Sequence, residues 1–192
     1  MATIDRLQAL LLRRIRHATE DLISGGLVDA WQTAMQQALT IGHTAAALAG
    51  IRARTGQRVT DASMLPADRE RLGARLTDQL GYLAGFVRAL RTGQLTPGQT
   101  QARADLYSGA IRATEAEARW GEWVLPFVPC DGSSACLGNC RCSTRIVEEA
   151  DGTGWYYWQL GPNEHHCPEC PERAEASPYR VQRRALYEKT AR

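Results

Sequence analysis

The sequence predicts a mainly α protein: an N-terminal bundle or platform of about four helices, then a small β-hairpin module and a short C-terminal helix. Three observations carry this. Apolar residues recur every three or four positions through roughly the first 120 residues. Proline and glycine fall where such helices would begin and end. Five of the six cysteines then gather in two clusters on either side of two β-prone runs.

Ile4, Leu7, Leu11, Ile15, Ala18 and Leu22 form the stripe of the first helix, which Ser24-Gly-Gly26 ends. Leu27, Trp31, Ala34, Ala38 and Ile41 open the second, which runs through the alanine-rich Thr44–Leu48 stretch to about Arg54. Those alanines permit close helix approach. Thr55–Leu65 is a polar connection. Pro66 suits the first turn of a third helix, with Leu72, Leu76, Leu80, Leu83, Val87 and Leu90 as its stripe and Thr92-Gly93 as its stop. Thr96-Pro97 reads as an N-cap with proline at the first helical position, starting a fourth helix that runs to about Trp120. Short links between helices predict a bundle or a splayed platform. His17 and His43 sit in these helices with no second ligand nearby in sequence, and read as packed or solvated side chains.

Beyond residue 122 the pattern changes. Thr144-Arg-Ile-Val-Glu148 and Trp155-Tyr-Tyr-Trp-Gln-Leu160 are two strand-like runs joined by the turn Asp151-Gly-Thr-Gly154. Alternation predicts Trp155 and Tyr157 packed inward, with Tyr156 and Trp158 exposed or buried on a neighbour. A lone hairpin is marginal in water, so something must clamp it. Cys136-Leu-Gly-Asn-Cys140-Arg-Cys142 precedes the hairpin and Cys167-Pro-Glu-Cys170 follows it. Thiolates in two such clusters are what a tetrahedral Zn²⁺ uses to tie distant turns together. The expected cofactor is one structural Zn²⁺ held by four ligands drawn from Cys136, Cys140, Cys142, Cys167 and Cys170. His165 and His166 are possible substitutes and Cys130 is the spare. Cys140 and Cys142 would face the same side of an extended strand. Three segments follow: a helical domain over 1–122, a zinc-ribbon-like module over 123–179, and a basic tail or helix over 180–192.

A disulfide framework is the rival reading of the cysteines. Met1-Ala-Thr-Ile-Asp-Arg-Leu7 opens an amphipathic helix rather than a signal peptide, so a reducing compartment is expected. No segment is apolar for the eighteen or so residues that span a bilayer. Catalytic zinc needs an open coordination position and a general base; His-Glu-x-x-His and the deaminase order of His-x-Glu before Pro-Cys-x-x-Cys are both missing, as are P-loop, dinucleotide and nucleophile-elbow motifs. The expectation is a protein that is not an enzyme and has no small-molecule substrate. Net charge is only +2, which argues against nucleic-acid binding over the whole surface. The charge is uneven: residues 143–170 carry a net −4 and residues 171–192 a net +3 (histidines neutral).

The stretch Tyr82–Tyr107 resembles the helical region of tailed-phage minor head proteins, also called head-morphogenesis proteins (Mu-like minor head proteins among them). Asn139-Cys140-Arg141-Cys142 is similar to the Cys-Arg-Cys of their cysteine-rich ends. Trp155–Trp158 and Cys167-Pro168-Glu169-Cys170 are similar to their Trp-rich hairpin and Cys-Pro-x-Cys. The Mu-like order places Cys-Pro-x-Cys first, with a histidine ahead of Cys-Arg-Cys; here the order is reversed and Cys136 takes the place of that histidine. The resemblance covers roughly residues 70–180. It implies a structural component of a phage or prophage virion, acting near the portal in head assembly, present in the host cytoplasm and then in the particle. Its partners would be portal or major capsid protein, with no membrane. The alternative is a nucleic-acid-binding zinc ribbon that stacks bases on the aromatic hairpin and uses the Arg-rich tail. Trp120 and Trp123 are candidates for a joint between helices and module or for an assembly anchor, against simple core packing.

Overall fold

The computed structural model describes residues 2–162 and 166–184. Four long helices come first: α1 Ala2–Ile23, α2 Val28–Thr55, α3 Pro66–Arg91 and α4 Pro97–Arg119. A three-stranded antiparallel sheet follows, in the order β1 (Ser143–Glu148), β2 (Thr153–Gln159), β3 (Tyr179–Gln182), with α5 (Glu169–Ala176) between β2 and β3.

The helix boundaries follow local chemistry. Gly25 (φ +103°) turns the chain out of α1, and Gly56 (φ +69°) caps α2 in the left-handed region by donating to Arg52 O. Pro66 opens α3. At α4, Thr96 Oγ1 accepts from Gln99 N and Gln99 Oε1 accepts from Thr96 N at 2.9 Å, closing a capping box.

One core joins the helices. Ile15, Met35, Leu39, Leu83, Phe86 and Ile111 are buried in it, with Phe86 edge-on to Trp31 (5.1 Å between centroids) and stacked on Tyr107 (6.3 Å). The α1 and α3 stripes pack as the sequence pattern requires. The α2 stripe is shifted: Trp31, Met35, Ala38, Leu39 and Ala46 are buried, while Leu27 and Ile41 are exposed. Leu27 precedes the first helical turn, and Ile41 lies about 120° around the helix from the fully buried Met35 at roughly 100° per residue. The small residues of α2 and α4 bring these helices close, and a Cβ on Gly50 would stand 2.3 Å from Glu115 O. Asp68 ties the corner of α2, α3 and α4. It takes Arg54 Nη2 at 2.7 Å and Arg71 Nη2, while Arg54 Nη1 donates to Ala118 O at 2.9 Å.

A second core lies between α4 and the sheet. Ala113 and Ala116 of α4 meet Trp123, Val128, Tyr156, Trp158 and Val181. Trp123, at 3% exposure, is core packing at the joint. The sequence expectation for the hairpin faces is reversed: Tyr156 and Trp158 are buried, and Trp155 and Tyr157 lie on the outer face with Arg145 and Arg180. Phe127 decides this. It packs edge-on to Tyr156, Trp158 and Tyr179, and Tyr156 donates its hydroxyl to Phe127 O at 2.8 Å. The strand β3 is not evident from the sequence pattern, and it occupies the start of the segment read as a basic tail or helix. Arg183 and Arg184 continue from it along Glu122–Val124; residues 185–192 lie outside the described residues.

Candidate metal centre

The loop from Pro129 to Arg141 delivers the first cysteine cluster. Asp131 shapes its start, accepting from Val128 N (2.9 Å) and Ser133 N (2.8 Å). A single 3-10 turn over Leu137–Asn139 follows Cys136. Cys130 (φ +66°) and Leu137 (φ +46°) are left-handed although neither is glycine, a conformation that costs each about 1 kcal/mol or more and needs surrounding contacts to hold it. Extended backbone through Cys140-Arg141-Cys142 buries both thiols and exposes the arginine between them, as a period of two requires. The second cluster is a knuckle at the start of α5, where Cys170 N donates to Cys167 O at 3.1 Å.

These segments converge. Among the described residues, Cys136, Cys140 and Cys170 are placed to hold a metal ion, their sulfurs all lying within 4.8 Å of one another. Four sulfurs held tetrahedrally at about 2.3 Å from one ion stand about 3.8 Å apart. Here Cys140 and Cys170 are separated by 3.8 Å, Cys136 and Cys170 by 4.0 Å, and Cys167 lies 3.3 Å from both Cys136 and Cys170. Cys142 lies against Cys140 and Cys170. All five thiols and His166 line one crevice of about 30 Å³, room for a single ion rather than a multi-atom cluster, since one probe-sized sphere needs roughly 10–15 Å³. The donor set is soft and sulfur-rich, so the residues fit a thiophilic ion. His165 lies outside the described residues.

Cys130 stands apart. Its thiol donates to Cys140 O (3.1 Å) and Gly138 O (3.5 Å), tying the loop to itself. The crowding of sulfurs shows in their acidity. The hydrogen bond with Cys130 pushes Cys140 up to about 11. Contact with Cys140 raises Cys142, and burial raises Cys170. Burial opposes the drop at Cys167, yet hydrogen bonds from Cys136 and Cys170 hold it below the ordinary thiol value. A bound cation would reverse the raised values by stabilising thiolates.

Sequence reading missed the residues that brace this loop. Ser134 Oγ sits 3.2 Å from Cys136 Sγ, Glu169 accepts from Ala135 N at 3.3 Å, and Arg173 Nη2 donates to Ser133 O at 2.9 Å. Gly138 lies flat against α4. None of these carries a motif; each is defined by contact with a distant segment.

The fold and this site define a helical-bundle protein with a small antiparallel sheet and a thiol-rich centre at its edge. No protein-family model, curated protein or solved structure matches the chain.

Proposed function

We propose that this protein is a structural component of a phage or prophage virion, a minor head protein that works in head assembly near the portal and whose sheet module is clamped by a structural Zn²⁺. The observation that carries the metal half is the convergence, from two distant segments, of Cys136, Cys140 and Cys170, whose sulfurs lie within 4.8 Å of one another, with Cys167 3.3 Å from two of them, around a one-ion crevice. In this reading these four are the ligands, and Cys142, which lines the same crevice against Cys140 and Cys170, is the alternative fourth. Four thiolates saturate a tetrahedral ion, which leaves no position for substrate and favours a structural role. The assembly half rests on the resemblance of Tyr82–Tyr107 and of the cysteine motifs to minor head proteins, and on the close packing of the module against α4.

The outer face of the sheet favours a second reading, nucleic-acid binding, because Trp155 and Tyr157 lie there with arginines. Two observations weaken it. The guanidiniums of Arg180 and Arg145 already cover those rings at 4.8 and 4.4 Å, and Arg180 is paired with Glu149 and Asp151.

Co-expression with portal and capsid proteins separates the two. The proposal expects co-purification with a head component at moderate salt and one Zn²⁺ per chain. Tight, salt-sensitive DNA or heparin binding with no head association would replace it with the nucleic-acid reading.

A further inference from the structure

We propose that the cleft between α3, α4 and the Cys130–Gly138 loop binds a small organic carboxylate with an aromatic or short alkyl body. The cleft holds about 300 Å³, at the lower end of small-molecule sites and about twice the apolar cavity of roughly 150 Å³ that accepts benzene in an engineered protein. Leu106, Ala110 and Leu137 give it an apolar wall.

Two largely buried polar side chains line it without a protein hydrogen-bond partner, their polar atoms open to the cleft rather than sealed from solvent. Gln79 and Tyr107 are each only 7% exposed, and neither makes a hydrogen bond to any described residue. Two polar groups without a protein partner, both facing one open cleft, are placed to bond a ligand that enters it. Tyr107 is held from behind by its stack on Phe86. Burial raises its hydroxyl to about 12, so it stays a donor at neutral pH. Arg103, one turn earlier on α4, lies at the exposed side of the cleft over Phe86 (4.8 Å) and makes no ion pair among the described residues.

The opposite wall offers little for recognition. The carboxylate of Asp131 accepts from Val128 N, Ser133 N and Ser133 Oγ, and the Cys130 thiol donates to backbone carbonyls. The remaining side-chain donors are the Arg103 guanidinium, the phenols of Tyr107 and the exposed Tyr82, and the Gln79 amide N–H. That set selects an acceptor bearing negative charge, and the apolar wall selects its body. The occupant is a bound ligand rather than a substrate, and the inference does not depend on the metal reading.

Titration calorimetry of the full chain with 2-naphthoate, and with 2-naphthalenemethanol as its neutral counterpart, tests this. Saturable one-to-one binding of the acid is expected, with the alcohol weaker by about tenfold or more, the size of one charge-assisted hydrogen bond. Tyr107→Phe and Gln79→Leu, both near-isosteric, should each weaken the acid by about tenfold. The surface change Arg103→Gln should weaken the acid and leave the alcohol unchanged, and Ala110→Phe should abolish both by filling the cleft. Absence of saturable binding to the unaltered protein would overturn the site, as would binding indifferent to Tyr107→Phe and Gln79→Leu. Equal affinity for acid and alcohol would overturn the carboxylate assignment.

Discussion

Gly109 in the middle of α4 and Gly138 in the cysteine loop meet backbone to backbone: a Cβ on Gly109 would lie 1.6 Å from Gly138 O, and a Cβ on Gly138 would lie 2.5 Å from Leu106 O. Neither position has room for a side chain. The thiol-rich loop is thereby seated on the helical bundle by direct contact of main chains, and the second core of Ala113, Ala116, Trp123 and Tyr156 continues from that point. Any function that needs the module held at a fixed angle to the helices depends on this pair.

Gly109→Ala is expected to force the loop off α4. The obstructing atom is a carbonyl rather than a flexible side-chain end, so the cost falls at the upper part of the overpacking range, on the order of 3 kcal/mol. For a chain of this size that lowers the thermal midpoint by roughly 6–12 °C. Thermal unfolding followed by circular dichroism measures it; an unchanged midpoint would mean that the two backbones are not in contact.

Gly73 and Gly81 in α3 make the opposite prediction. Both are exposed mid-helix positions without a positive φ, and a Cβ on either meets nothing within 4 Å. Alanine at each should stabilise by about 0.5–1 kcal/mol through reduced unfolded-state freedom. A loss of stability in either single variant, measured by urea denaturation, would contradict the open space around it.

Metal analysis of freshly purified, reduced protein should give close to one Zn²⁺ per chain. Cys170→Ser and Cys167→Ser should lose it, while Cys130→Ser should keep it because that thiol lies outside the crevice and its bonds to Cys140 O and Gly138 O can be made by a hydroxyl. Chelation should disturb tryptophan fluorescence, since Trp123 and Trp158 are buried in the sheet-side core. Most of the helical signal should remain, because α1–α4 bury their own core of Ile15, Leu39, Leu83 and Phe86. Protein isolated without metal, or a Cys170→Ser variant that retains it, would refute the clamp.

The helices were legible because each signal is local: Pro66, the Thr96–Gln99 box and Gly25 need only their neighbours. The thiol clusters were legible for the same reason. The hairpin face was not, because Trp155, Tyr156, Tyr157 and Trp158 are all aromatic and offer no polar–apolar alternation to read. Phe127 and Tyr179, distant in sequence, settle which pair turns inward. Strand β3 was hidden by its length, four residues from Tyr179 to Gln182. The Gly109–Gly138 seat and the unpartnered Gln79 and Tyr107 are properties of long-range contact, which spacing along the chain does not encode.

His43 is expected to make the protein acid-sensitive. It is fully buried in α2, with Nδ1 2.6 Å from Thr114 Oγ1 and no hydrogen-bond partner at Nε2 among the described residues. Burial, reinforced by the charge of Arg75, lowers its pKa from 6.5 to about 4. The unfolded chain therefore takes up this proton first as pH falls. Stability contributed by the neutral ring is intact above 6.5, declines as pH drops through the interval down to about 4, and is flat below it. The full loss is on the order of 3 kcal/mol, at about 1.4 kcal/mol per unit. Other groups titrate in the same range, so the measurement is a difference: urea denaturation of the unaltered protein and of His43→Gln at pH 7.5, 6 and 4.5. The unaltered protein should lose more stability across the series than the variant by about 2–3 kcal/mol. Parallel losses in the two proteins would show that His43 is not buried as a neutral ring.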